Sequence, residues 1–358
     1  MSVYIGKTQG YEEVDRVVRE GIGSLGGISK FVEPGEKILV KPNLLKGATP
    51  EKAVTTHPDF IRAVVDMISD QGAEVILADS PGGPNSARML HSFYDKAGWL
   101  DIERETDAVL NYDLTEKRIS LPQGRILKSV PVLSVFTEVD GVINLPKLKT
   151  HGLTVFTGAV KNMYGAVPGL TKAAFHGRYR GMDRFAKVIL DIHDVVEPRL
   201  SIMDGILAME GSGPSNGKPV ELDLVLASES AYELDMAACM SVGIPPEKVT
   251  TIRNAEDTIK IIDYTGLLPT QIHLNIDYPP GGSTPWWVPE SLGGVLANMY
   301  LKRPSLDSPL CTRCGMCKQI CPEDAIKMGK NGPKISWRNC IRCYCCVEVC
   351  PEEALSSR

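Results

Sequence analysis

The stretch EKILVKPNLLKGATPEKAVTTHPDFIRAVVDMISDQGAEVILADSPGG, Glu36–Gly83, decides the fold. It opens on a short apolar, β-rich run, EKILVKPNLL, that ends in Lys41, Pro42 and Asn43. HPDFIRAVVDMISDQGA follows as a helix. Pro58 stands in its first turn, where a missing N–H costs nothing, and Gly72 marks its end. EVILADSPGG then reads as a second strand running into a glycine loop. Strand, helix and strand in that order predict a parallel sheet.

Reading outward extends the alternation. YEEVDRVVREGIGSLG is an amphipathic opening helix, and another helix is predicted near Ser86–Ala97. Residues 107–130 read as two or three antiparallel strands turning at LPQGR. VDGVINLP is a buried strand, LTVFTGAVKNMYG a helix, DRFAKVILDIHDVV a helix and RLSIMDGI a strand; ELDLVLASES and AYELDMAACMSVG form one more strand–helix pair. The expected class is α/β: a mainly parallel sheet with helices on both faces, plus a small C-terminal α+β domain. Sheets of this kind bind ligands in the crevice beyond the carboxyl ends of their strands. Lys41, Asp79, Lys147 and Asp204 follow predicted strands at that end.

The chain has 358 residues, 43% hydrophobic and 23% charged, with a formal net charge of −5. That length suits two or three domains, and the charge gives no footprint for nucleic acid. No apolar run approaches the roughly 18 residues of a membrane span. MSVYIGKTQGYEEVD has neither a basic n-region nor an apolar h-region, so a cytoplasmic protein without a membrane partner is expected. The segment 277–294 is rich in proline and glycine. It predicts a large domain at 1–276, a linker with a short helix at 277–302, and a tail domain at 303–358. Trp286 and Trp287 are expected to be packing anchors.

Nine of the ten cysteines lie between Cys311 and Cys350. Cys311, Cys314, Cys317 and Cys321 follow C-x2-C-x2-C-x3-C-P, and Cys340, Cys343, Cys346 and Cys350 repeat it at a constant offset of 29. Zinc sites typically use paired C-x2-C hooks and lack the x3-C-P closure. Four thiolates hold a cubane [4Fe–4S] cluster, and the last cysteine of each such run ligates the other cluster. The expected sets are therefore Cys311, Cys314, Cys317 and Cys350 for one cluster, and Cys340, Cys343, Cys346 and Cys321 for the other. The tail resembles the two-cluster bacterial ferredoxins. Cys345 is read as a non-ligand thiol and Cys239 as a buried small hydrophobe. Glu323, Asp324, Glu352 and Glu353 follow the closing prolines and predict low cluster potentials.

Two tempting motifs fail. GIGSLG (Gly21–Gly26) follows a helix rather than a strand, and GSGPSNGK (Gly211–Lys218) misplaces the P-loop glycine and ends in Pro219. Flavin and magnesium stay open.

The stretch NLPKLKTHGLTVFTGAVKNMYG, Asn144–Gly165, places Lys147, Lys149, His151 and Lys161 together without an acid. It adds the hydroxyls of Thr150, Thr154 and Thr157 and an expected helix N-terminus. These features predict an anion-binding crevice, with a solvated helix face as the alternative.

The blocks VKPNLL, THPDFIRAVVD, NLPKLKTHGLTVFTGAVKNMYGAVPG and IMDGILAMEGSGPSNGKPV resemble the "domain of unknown function 362" family, often described only as uncharacterised iron–sulfur centre proteins. The resemblance covers roughly residues 1–275, and many members end in a ferredoxin-type tail. It implies a site drawn from Lys41, Asn43, His57, Asp79, Lys147, Lys149, His151, Lys161, Asn162, Asp204 and Glu210. His151 is either a proton donor or a hydrogen-bonded core histidine. Asp204 and Glu210 are an acid–base pair, a magnesium site, or caps of the GSGPSNG loop. The expected function is an iron–sulfur oxidoreductase that takes electrons from a ferredoxin-like donor and reduces a small anionic substrate. The rival readings are an electron-relay or assembly protein, and a non-redox racemase or lyase acting on a carboxylate.

Overall fold

A computed structural model describes residues 2–260, 262–269, 272–276 and 302–357. The expected linker therefore lies outside the described residues except for Lys302, and so do Trp286 and Trp287. The first half runs β1 (Ser2–Lys7), α1 (Val14–Ser24), β2 (Lys37–Pro42), α2 (Pro58–Asp70), β3 (Glu74–Leu77), α3 (Ala87–Lys96), α4 (Trp99–Glu105) and β4 (Val109–Leu110). A hairpin of β5 (Glu116–Ser120) and β6 (Ser129–Leu133) follows. Then come β7 (Gly141–Leu145), β8 (Lys147–His151), β9 (Val155–Thr157), α5 (Ala159–Asn162), α6 (Gly169–Arg178) and α7 (Met182–Val196). The large domain ends with β10 (Leu200–Glu210), β11 (Lys218–Ser228), α8 (Ala231–Ser241), α9 (Thr250–Arg253) and β12 (Asp263–Gly266).

The main sheet has the order β12-β1-β11-β10-β7-β2-β3-β4, with β8 and β9 branching from β10. From β10 to β4 every neighbour is parallel, whereas β11 runs antiparallel to β10 and β1. Side chains alternate across it as strand geometry requires. Ile38, Val40 and Ile143 pack with α1 and α2, while Leu39 and Val142 pack with α7 and α8 on the other face. The mainly parallel sheet covered on both faces is thus present.

LTVFTGAVKNMYG departs from expectation. Val155–Thr157 pairs with β8, Lys149 opposite Thr157, and the helix shrinks to Ala159–Asn162. Val155 and Thr157 are β-branched and favour the pleat over the helix. Gly158 ends the strand at a point where a Cβ would collide with Asp235 Oδ1.

In the tail, β13 (Pro304–Leu306) pairs with β16 (Leu355–Ser357), and β14 (Ile326–Gly329) with β15 (Gly332–Ile335). The sequence duplication is repeated in the backbone. Arg313 and Arg342, Gly315 and Tyr344, and Asp324 and Glu353 all take positive φ at matched positions of the two loops. The tail is fastened to the large domain by Arg180–Glu323 (2.6 Å), Lys52–Glu353 (2.8 Å) and Asn216 Nδ2 donating to Leu355 O (2.9 Å). Glu323 and Glu353, expected to burden the clusters with negative charge, are instead paired with these cations.

Candidate functional site

Five of the predicted residues, Lys41, Asn43, Asp79, Lys149 and Asn162, form one hydrogen-bonded floor. Lys41 Nζ lies 2.9 Å from Asp79 Oδ1, and Gly165 sits so close to both that any side chain there would collide with the pair. Lys41 also donates to Asn162 Oδ1 (3.1 Å), as does Asn43 Nδ2 (3.1 Å). Asn43 Oδ1 accepts from Lys149 Nζ at 2.7 Å. Burial lowers the Lys41 pKa, and Asp79 opposes that shift.

A second group lies elsewhere and corrects the sequence reading. Lys147 Nζ is 2.6 Å from Asp204 Oδ2, with both side chains fully buried. Asp204 also accepts from Tyr11 Oη and from the His57 N–H. Lys147 is therefore neutralised by an acid from β10. His57 caps α2 and stacks on Tyr11 at 3.6 Å. Glu210 accepts from Asn275 N at 2.9 Å, six residues beyond Asp204 on the same strand. That separation is about 20 Å at strand spacing, so the two carboxylates form neither an acid–base pair nor a magnesium site. The expected helix N-terminus is also taken: Asp235 accepts from Ala159 N (2.5 Å) and Val160 N (3.1 Å).

What remains is a cavity of about 80 Å³ between the two domains. The large domain lines it with Lys149, His151, Thr157, Lys161, Tyr164, Lys172 and His176, above Lys41, Asn43 and Asn162. The tail closes it with Ile320, Cys345, Glu348 and Val349. Lys149 spends two donors on Asn43 and Val54 O, and its pKa is held well below the ordinary value by burial, then by Lys161 and Lys147. Lys161 donates to no protein acceptor among the described residues. Burial lowers its pKa and Glu348 opposes the shift. Lys172, from α6, donates to the Ser80 carbonyl and lies over the Tyr164 ring, and burial brings its pKa to about 7. Thr157 Oγ1 is buried against the cavity with no hydrogen-bond partner among the described residues. Such orphans are uncommon and point to a missing partner.

His151 is a neutral imidazole. Its Nδ1 accepts from Leu153 N (3.0 Å) and Thr154 N (3.3 Å), and burial followed by the charge of Lys161 drives its pKa well down. Its Nε2 faces Glu348 Oε1 at 3.6 Å. These two side chains, with Pro214, separate the basic cavity from a neighbouring one of about 140 Å³ bordered by Ser212–Asn216 and Tyr344. Sequence reasoning missed Tyr164 within the basic stretch, Lys172 and His176, which follow it, and Glu348 and Cys345, which come from the tail.

The cysteines fall into two small pockets of about 20 Å³ each. Cys311, Cys314, Cys317 and Cys350 line one; Cys321, Cys340, Cys343 and Cys346 line the other. Burial pushes the Cys317 thiol up to about 11, so a bare thiolate is disfavoured there. Cys345 lines both the second pocket and the basic cavity.

Residues 38–240 match the family described as "Domain of unknown function (DUF362)", and residues 303–351 match a "4Fe-4S dicluster domain". The chain is 32% identical over 258 residues to the "Thylakoid-associated protein sll1697" of Synechocystis, covering 71% of this chain and 78% of that protein. Among solved structures it is similar to the lactate racemase apoprotein of Thermoanaerobacterium thermosaccharolyticum. The TM-score is 0.44 at 13% identity, covering 66% of this chain and 56% of that one. Among the described residues no helix is long and apolar enough to cross a membrane.

Proposed function

The chain belongs to the DUF362 family and carries a ferredoxin-type iron–sulfur tail, and because that family name assigns no reaction, we propose from the cavity that the protein is an iron–sulfur oxidoreductase reducing a small anionic organic substrate, a carboxylate or phosphate ester. The observation that carries the proposal is one cavity walled by Lys149, Lys161, Lys172 and the orphan Thr157 hydroxyl on one side, and by Cys345 and Glu348 of the tail on the other. A relay protein without a substrate would have no use for a recessed basic cavity behind its cluster-binding loops.

In this reading Cys311, Cys314, Cys317 and Cys350 hold one [4Fe–4S] cluster, and Cys340, Cys343, Cys346 and Cys321 hold the other. When bound, each cluster supplies one-electron chemistry. Lys161 and Lys172 bind the substrate anion through charge-assisted bonds, and Thr157 donates a third. Lys149, held by Asn43, adds field. The Lys41–Asp79 pair and Asn162 keep that floor rigid. His151, neutral and fixed by two backbone N–H groups, carries its proton on Nε2 and bounds the chamber.

The test is anaerobic. Protein with reduced clusters is mixed with a panel of small carboxylates and phosphate esters, and re-oxidation is followed by absorbance. At least one anion should accelerate re-oxidation, and Lys161→Met should slow it by about tenfold or more, as loss of a charge-assisted bond implies. If no anion does so and sulfate stabilises no better than chloride, the reading fails. Turnover that survives removal of the iron would point to non-redox chemistry instead.

A further inference from the structure

The two cysteine pockets are not equivalent. The second borders the basic cavity through Cys345. The first faces outward: of the eight cysteines in the two runs, only Cys314 is exposed. Leu310, four residues after β13 ends and 50% exposed, stands on the same loop. Arg313 Nη1 donates to Lys330 O (3.3 Å), which ties that loop to the turn of the β14–β15 hairpin. A Cβ at Gly332 in the same turn would lie 3.2 Å from Cys311 Sγ, so the turn sits directly over the first pocket. Met328 and Pro333 face the pocket, whereas their neighbours Lys327 and Lys334, paired across the hairpin, are exposed. Arg313 is thus exposed beside Cys314, and Lys327, Lys330 and Lys334 are exposed on the hairpin that covers the first pocket. Against them the first pocket borders one carboxylate, Glu352.

We propose that this face, with Leu310 and Cys314 at its centre and Arg313, Lys327, Lys330 and Lys334 around it, is the docking surface for a small acidic one-electron carrier protein. The inference rests on the reading that the tail feeds electrons to the cavity, and it fixes their direction: in at the first pocket, out beside Cys345. Electron transfer falls steeply with distance, so a carrier gains by meeting the exposed ligand. Redox encounters need only a small interface, and opposite charge supplies the steering. In each encounter the carrier is oxidised by one electron and the tail is reduced by one. No bond forms or breaks.

The test uses the full chain with its iron in place, a small acidic [2Fe–2S] ferredoxin as probe, and the triple variant Arg313→Glu, Lys330→Glu, Lys334→Glu. Arg118→Glu, on exposed β5, is the control, and iron content checks folding. Calorimetric binding of the oxidised ferredoxin at low ionic strength should weaken by about tenfold or more in the triple variant and lose its salt dependence. Anaerobic reduction by reduced ferredoxin should slow in parallel, while reduction by reduced methyl viologen stays within about twofold; the control should change neither. If the triple variant loses iron, the corresponding glutamine variant is measured, with the same direction expected. Unchanged ferredoxin affinity overturns the proposal. So does loss of binding to anionic phospholipid vesicles with ferredoxin binding intact, which would assign the face to a membrane. Failure of the cavity reading looks different: ferredoxin docks and reduces the tail, but no anion draws the electrons off.

Discussion

Two lysines in the same stretch separate structure from function. Lys147 is locked to Asp204 with neither side chain exposed, so Lys147→Met strands a buried carboxylate and should cost about 3–5 kcal/mol. Lys161 has a cavity in front of it and no protein acceptor among the described residues, so Lys161→Met should leave stability unchanged or raise it, while removing any sulfate-specific stabilisation. Urea titrations of both variants check this, and equal losses would mean that Lys161 is paired. Lys172 gives a pH signature. Its folded pKa of about 7 lies below the ordinary lysine value of 10.5. Between those limits the unfolded chain binds more protons than the native one, so the stability of the empty protein rises with pH across that window. Sulfate binding runs the other way, because Lys172 is charged only below about 7. The rise in thermal midpoint given by sulfate over chloride at matched ionic strength should therefore be larger at pH 6 than at pH 9, and Lys172→Met should flatten the difference. The acid-free run Asn144–Gly165 was visible in the sequence, but the fate of each cation was not. Asp204 reaches Lys147 across 57 residues, and no periodicity encodes that partnership.

Elements explain what was legible and what was not. The Glu36–Gly83 strand–helix–strand unit appears as β2, α2 and β3, because its apolar spacing and its Pro58 and Gly72 punctuation are local. The cysteine repeat was legible for the same reason, and matched left-handed residues in both loops carry it into the backbone. The β8–β9 turn was not legible. Its strand exists because Thr157 finds Lys149 opposite, and α5 begins where it does because Asp235, 76 residues away, caps it. Asp235→Ala should thus disturb the cavity without touching it, lowering sulfate-specific stabilisation along with global stability. The tail gives a sharper test of element pairing. Cys321 shares a pocket with Cys340, Cys343 and Cys346, across the sequence repeat. Electron paramagnetic resonance spectra of Cys321→Ser and Cys340→Ser should resemble each other and differ from that of Cys311→Ser. A match between Cys321→Ser and Cys311→Ser would mean that each run holds its own cluster.

At the scale of the molecule, the iron–sulfur tail is also the lid of the chamber. Ile320, Cys345, Glu348 and Val349 close the cavity, Ala173 of α6 packs into the tail's own core, and Glu323 and Glu353 pin the tail to Arg180 and Lys52. A tail this small depends on its iron to stay folded, since metal binding and folding share one free energy. Loss of iron should then open the chamber, and by reciprocity an anion bound there must favour the iron-loaded tail. The link runs through Glu348, which faces Lys161 and Lys149 from the helix that carries Cys346. Saturating sulfate should slow the stripping of iron by a chelator such as bathophenanthroline beyond the effect of chloride at equal ionic strength. Lys161→Met should abolish that protection while leaving the rate in chloride nearly unchanged. If sulfate protects both proteins equally, the effect is general salting of the surface, and the lid and the chamber are not coupled.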